Sequence, residues 1–165
     1  MVIRLRPAVL EDIPALVPLI GKICDFHRSR DAVRYSFLPQ VEQRYPKWVK
    51  GLINNPRDLC LVAEDDSENG SASPQLIAFL LAEVETEIPI YELKEYGYIH
   101  DLWVEAEYRR AGIARQLVMA AIEHFRQLGL TQIRLDALVS NESAIKLYQT
   151  CGFRASTTEM LIELE

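Results

Sequence analysis

The sequence predicts a mixed α/β fold, a sheet covered by helices on both faces. Three observations carry that expectation. Strand-like and helix-like patterns alternate in the order β-α-α-β-β-β-α-β-α-β, with no internal repeat. The chain has 165 residues, 49% of them hydrophobic, which suits one domain spanning residues 1–165 with a real core. The stretch from Tyr98 to Leu117, YIHDLWVEAEYRRAGIARQL, begins as a strand, turns through small residues and ends as a helix.

Val2 to Arg6 alternates apolar and basic residues and reads as a strand that Pro7 stops. Leu10 to His27 reads as a helix, with Ile13, Leu16, Val17, Ile20 and Cys24 on one stripe. Pro18 predicts a kink or a late start there. A second helix is expected over Val41 to Leu52, doubtful in its first half because of Pro46. Leu59 to Ala63 is a short strand, Glu64 to Pro74 a polar hairpin loop, and Gln75 to Glu85 a long strand. Ile88 to Gly97 is expected as a loop. After the central strand, Gly112 to Leu128 carries a helical stripe of Ala114, Leu117, Val118, Ala121, Phe125 and Leu128, closed by Gly129. Gln132 to Leu138 is a strand. Asn141 to Thr150 is a short helix with Ser140 or Asn141 as its N-cap. Phe153 to Leu164 is expected to add one or two final strands.

Composition narrows the function. With 24 acidic and 18 basic residues the net charge is −6, which argues against nonspecific nucleic-acid binding and favours a cationic small substrate. No apolar run is long enough to span a bilayer, and no signal-peptide core precedes the first acidic residues, so a cytoplasmic location is expected. Cys24, Cys60 and Cys151 are isolated, without Cys/His spacing for zinc, and no metal is expected.

The turn Arg109-Arg110-Ala111-Gly112-Ile113-Ala114 carries the most chemistry. A strand that breaks into a narrow turn at a helix start presents free backbone N–H groups with the helix dipole behind them, a setting for an anion such as a pyrophosphate. Arg109, Arg110 and Arg115 add charge there. By itself the turn is equally an ordinary strand-to-helix connection. Neither G-x-x-x-x-G-K-[ST] nor G-x-G-x-x-G is present, which excludes a Walker loop and argues against a Rossmann site.

Two signatures together resemble the GCN5-related N-acetyltransferases. Arg109, Gly112 and Ala114 match R-x-x-G-x-[GA]. Asn141, Ala144, Leu147, Tyr148, Gly152 and Phe153 match the second signature, on the helix that follows the next strand. The resemblance implies a mixed, mostly antiparallel twisted sheet and the use of acetyl-CoA as co-substrate. It implies that the N–H groups from Arg110 through Arg115, hence Ala111, Gly112, Ile113 and Ala114, hold the pyrophosphate. Leu102 and Val104 would pair with the pantetheine arm where the central strand splays from its neighbour, with the Leu102 N–H polarising the thioester carbonyl. Asn141 would touch the same arm, and Tyr148 would protonate the departing thiolate.

An amine nucleophile must also lose a proton, and His100 is the expected base. Glu83 and Glu85 are rivals. Asp101 points away in a regular strand but joins the site if a bulge intervenes. The expected reaction is direct attack by a primary amine in a ternary complex. A small cationic amine is favoured, although a protein amine also fits, and a homodimer is possible. The alternative at this stage is an acyl-CoA-binding sensor or interaction module without turnover. A nucleic-acid module using the arginine cluster is opposed by the acidic charge.

Overall fold

The computed structural model describes residues 2–66 and 75–164. The alternating N-terminal run forms β1 (Ile3–Pro7), ending on the proline that cannot donate to a ladder. A 3-10 turn over Leu10–Asp12 leads into α1 (Ile13–Arg30). Asp12 accepts two hydrogen bonds from Arg6, at 2.6 and 2.9 Å, and one from the Val9 N–H at 2.8 Å, which ties the helix start to β1. The helix runs on through Pro18, so the expected late start at that residue does not occur. Burial of Leu16, Leu19, Ile20, Ile23 and Cys24 outweighs the roughly 3 kcal/mol that an internal proline costs.

The second helix, α2 (Tyr45–Asn54), begins later than expected, after a 3-10 turn at Val41–Gln43. Pro46 sits in its first turn, where the missing N–H has no intrahelical partner to lose. The sheet continues with β2 (Leu59–Asp65), β3 (Gln75–Thr86) and β4 (Glu95–Val104). Glu64 and Asp65 thus extend the strand, and most of the expected hairpin loop lies outside the described residues. The last part of the expected Ile88 to Gly97 loop is already strand. The remaining elements are α3 (Ile113–Gln127), β5 (Ile133–Leu135) and α4 (Glu142–Thr150).

Strand order is β1-β2-β3-β4-β5. The first four strands are antiparallel and β5 runs parallel to β4, the mixed and mostly antiparallel sheet expected. On one face Ile113, Leu117, Val118, Ala121 and Phe125 of α3 pack against Leu61, Ala63, Leu80 and Ile99. On the other, Leu16, Ile20, Val49 and Leu52 of α1 and α2 pack against Val62, Phe79 and Leu81. Helices therefore cover both faces.

Gly97 lets β4 pass beneath Phe125: a Cβ there would lie 2.5 Å from the ring. Because Phe125 is fully buried, Gly97→Ala is expected to destabilise the fold by about 1–3 kcal/mol. The check is a lower urea midpoint at constant m-value; an unmoved midpoint would mean that the ring has room to yield.

The expected C-terminal strands are absent among the described residues. From Ala155 to Leu164 the chain is exposed throughout, with Met160 and Leu164 at 86% and 87% exposure. Apolar alternation alone makes no strand without a neighbouring ladder, and β5 has only three residues to offer.

Candidate active site

The site begins with a one-residue irregularity in β4. Leu81 faces Asp101 while Ala82 faces Ile99, so His100 is an extra residue with no partner on β3. The backbone confirms the bulge. The Gly97 N–H bonds the Gln132 carbonyl, on the β5 side, at 3.0 Å, whereas the Glu105 N–H bonds the Ile77 carbonyl, on the β3 side, at 2.8 Å. At an even spacing a regular strand would send both the same way. The bulge reverses the alternation and turns His100 and Asp101 to one face, beneath α1 and α2. The regular-strand expectation that Asp101 points away is thus overturned.

His100 stands against two strands and a helix. Its Nε2 lies 2.8 Å from Glu83 Oε1 and 3.8 Å from Glu85 Oε1. The Trp48 ring meets the imidazole edge-on at 5.1 Å, and the Trp48 indole N–H donates to Glu83 Oε2 at 3.2 Å. Tyr98 packs on the ring at 4.8 Å, its own phenol held by Asp136. The ligand atoms of Glu83, Glu85 and His100 lie within 4.8 Å of one another. That grouping suits a cation, whether a divalent metal or an ammonium.

Asp101 sits deeper. Burial pushes its carboxyl up to about 6, with the His100 charge and a Tyr45 hydrogen bond pulling it partly back. The Cys24 thiol is 4.0 Å from the Tyr45 hydroxyl, so Asp101 ends a polar chain inside the α1/α2 core.

The β4–β5 ladder covers only Gly97 to Ile99. Past that point the edge of β4 is free of β5, and the alternation set by Glu105 directs the Leu102 and Val104 N–H groups into the gap. An extended amide-bearing arm such as pantetheine fits such an edge. The Val104 carbonyl is occupied: Arg109 Nε donates to it at 2.9 Å, and the Arg109 guanidinium lies 4.9 Å over the Trp103 ring. Arg109 therefore latches the turn to β4.

Beyond it, Arg110 and Gly112 both have left-handed backbones, with φ of 65° and 80°. The turn is exposed, and α3 opens at Ile113 directly after it. A Cβ on Gly112 would meet nothing nearer than Gln116 Nε2 at 4.0 Å, so the space above the turn is open. Successive N–H groups in such a turn form an anion-binding concavity. The residues present fit a pyrophosphate-bearing thioester.

On α4, Asn141 is the N-cap, its side-chain oxygen accepting the Ala144 N–H at 3.3 Å. Tyr148 packs against Phe153 at 5.8 Å. Burial, reinforced by the charge of Asp101, pushes its phenol up to about 12, and no hydrogen bond among the described residues contributes. It stays protonated through the physiological range. His27 stacks on Tyr35 and His124 contacts the Arg57 carbonyl, so both serve structure elsewhere. Cys24 and Cys60 are buried and Cys151 half-buried.

Sequence reasoning did not single out the Trp48–Glu83–His100 contact, nor the cations Arg44, just before α2, and Lys47 in its first turn. The helical spacing of Arg44, Lys47 and Trp48 was a readable signal. That α2 lays this face beside Glu83 was not.

An open sheet with a splayed fourth strand and an anion-ready turn defines an acyltransferase-like architecture, and comparison with known proteins agrees. The family described as "Acetyltransferase (GNAT) family" matches residues 25–153. The chain belongs to that family. It is 32% identical over 102 residues to N-alpha-acetyltransferase 30 of Saccharomyces cerevisiae, covering 61% of this chain and 54% of the yeast protein. It is 35% identical over 68 residues to glucosamine 6-phosphate N-acetyltransferase of Trypanosoma brucei brucei, covering 41% and 44% respectively. The chain thus spans about half the length of these curated relatives. Among solved structures, a tetramutant of the BH1408 protein of Bacillus halodurans superposes with a TM-score of 0.80 at 22% identity, covering 99% of this chain and all of that one, a likeness of fold. Among the described residues no helix is long and apolar enough to cross a membrane.

Proposed function

We propose that the protein is an N-acetyltransferase that moves an acetyl group from acetyl-CoA to a primary amine by direct attack in a ternary complex. The carrying observation is the cluster of His100 with Glu83 and Glu85 beside the unpaired edge of β4, with Asp101 turned to the same face by the bulge. The yeast and trypanosome relatives, whose names describe N-acetylation, support an amine acceptor.

Acetyl-CoA supplies an activated acetyl thioester. The N–H groups from Arg110 to Arg115 hold its pyrophosphate, with Arg110 and Arg115 adding charge. The Leu102 and Val104 main chain and Asn141 align the arm, and the Leu102 N–H donates to the carbonyl oxygen. Glu83 and Glu85 attract the amine as an ammonium, and His100 takes its proton. Tyr148 gives a hydrogen bond, and then its proton, to the departing sulfur.

Calorimetric titration with acetyl-CoA tests the reading. Micromolar binding is expected in the wild type and loss of at least tenfold in Gly112→Trp, whose side chain would fill the open space above the turn. Release of free CoA thiol with an amine panel then separates turnover from mere binding. No binding to the wild type would return the turn to a simple strand-to-helix connection.

A further inference from the structure

The chemistry of the acceptor's far end is written on α2, on the understanding that the reading above holds. Trp48 and Glu83, which hold His100 on one side, line on the other a cavity of about 480 Å³, open to solvent. That volume lies within the range of small-molecule sites. Asp58, also on its wall, is committed: it accepts the Val84 N–H at 3.0 Å and the Asn55 side-chain amide at 2.7 Å. Arg44 and Lys47 complete the wall. Both are exposed, and among the described residues neither has an ion pair or hydrogen bond. Nearby cations behave otherwise: Arg57 is paired with Glu95 at 2.7 Å and Arg134 with Glu87 at 2.7 Å.

The cavity is therefore polarised. Its inner end, at Glu83, is acidic and one side chain from the base. Its wall at the start of α2 carries two unpaired cations, Arg44 and Lys47, while the Asp58 carboxylate, held by neutral donors that leave its charge in place, is also on the wall. A plain diamine would place its second ammonium against Arg44 and Lys47, where like charges repel. An uncharged alkyl chain would leave both cations unused. We propose that the acceptor carries an anionic group, a carboxylate or a phosphate, at the end opposite its reacting amine. The ammonium sits at Glu83, Glu85 and His100, and the anion on Arg44 and Lys47.

The test compares aminohexanoate, hexylamine and diaminohexane, chains of equal length, with aminoethyl phosphate as a phosphate-bearing arm. Initial rates with acetyl-CoA are measured for the wild type and for Arg44→Glu/Lys47→Glu. The expected wild-type kcat/KM is about tenfold higher for an anion-bearing amine than for hexylamine, with diaminohexane lowest. Which anionic amine wins tells carboxylate from phosphate. In the double variant the order should invert, diaminohexane ranking first, with the unfolding midpoint showing that the variant is folded. Wild-type preference for diaminohexane or hexylamine, or a preference untouched by the charge reversal, overturns the proposal. If no amine is acetylated, the acetyltransferase reading fails by itself. Calorimetric binding of the same amines to the CoA-saturated protein then decides this inference by the same ranking and the same reversal.

Discussion

Replacing His100 with alanine is expected to lower kcat/KM by about two to three orders of magnitude at pH 7, and by much less near pH 9.5. An alkyl amine with a pKa near 10 is about one-thousandth free base at pH 7. A base beside the nucleophile removes that limitation by taking the proton within the complex. Without it, the rate must follow the free-amine fraction, which rises about tenfold per pH unit until the amine itself is titrated. The deficit of the variant should therefore shrink with rising pH. His100 contacts Glu83, Glu85, Trp48 and Tyr98, so a positional role is the rival account. The two differ in shape: a loss that is equal from pH 6.5 to 9.5 would assign His100 to positioning. Glu83→Gln gives a companion reading. It keeps an acceptor for the Trp48 indole while removing the charge, and it should raise KM for the amine more than it lowers kcat.

Tyr148→Phe is expected to reduce kcat by about 10- to 100-fold while changing acetyl-CoA affinity less than twofold. A hydrogen bond to a charged partner is worth about 1.5–3 kcal/mol, and the departing thiolate is charged only as the reaction proceeds. That interaction belongs to the transition state, so its loss falls on kcat. Burial holds the phenol near 12, so the wild-type donor remains protonated across the pH range of the His100 experiment and does not confound it. No hydrogen bond among the described residues ties the hydroxyl to the protein, so the unfolding midpoint should hardly move. Unchanged turnover in the phenylalanine variant would make Tyr148 a packing residue against Phe153.

Much of the fold was legible in local pattern. The β1 strand, the Leu117, Val118, Ala121 and Phe125 stripe of α3 and the Asn141 cap depend on neighbours a few residues away and formed as read, whereas Leu128 falls past the helix end and is exposed. The late start at Pro18 did not occur because a propensity penalty is small beside the burial of one face of α1. The final strands were misjudged because alternation specifies a face but supplies no partner. Leu102 and Val104 were readable as an edge only through family likeness. Their outward N–H groups follow from the ladder to β3 and from where β5 stops.

The sequence by itself determined the element types through α4, the Arg110 to Gly112 turn at the start of α3, and the two signatures that mark the family. Those depend on residues close together in the chain. Tertiary structure alone decided how the proposed reacting centre is assembled. One extra residue at His100 reversed the alternation of β4 and put His100 and Asp101 on the same face, beside Glu83 and Glu85 of the neighbouring strand. A strand's period of two makes a single-residue slip invert every side chain beyond it, and no local pattern records where the neighbouring ladder slips.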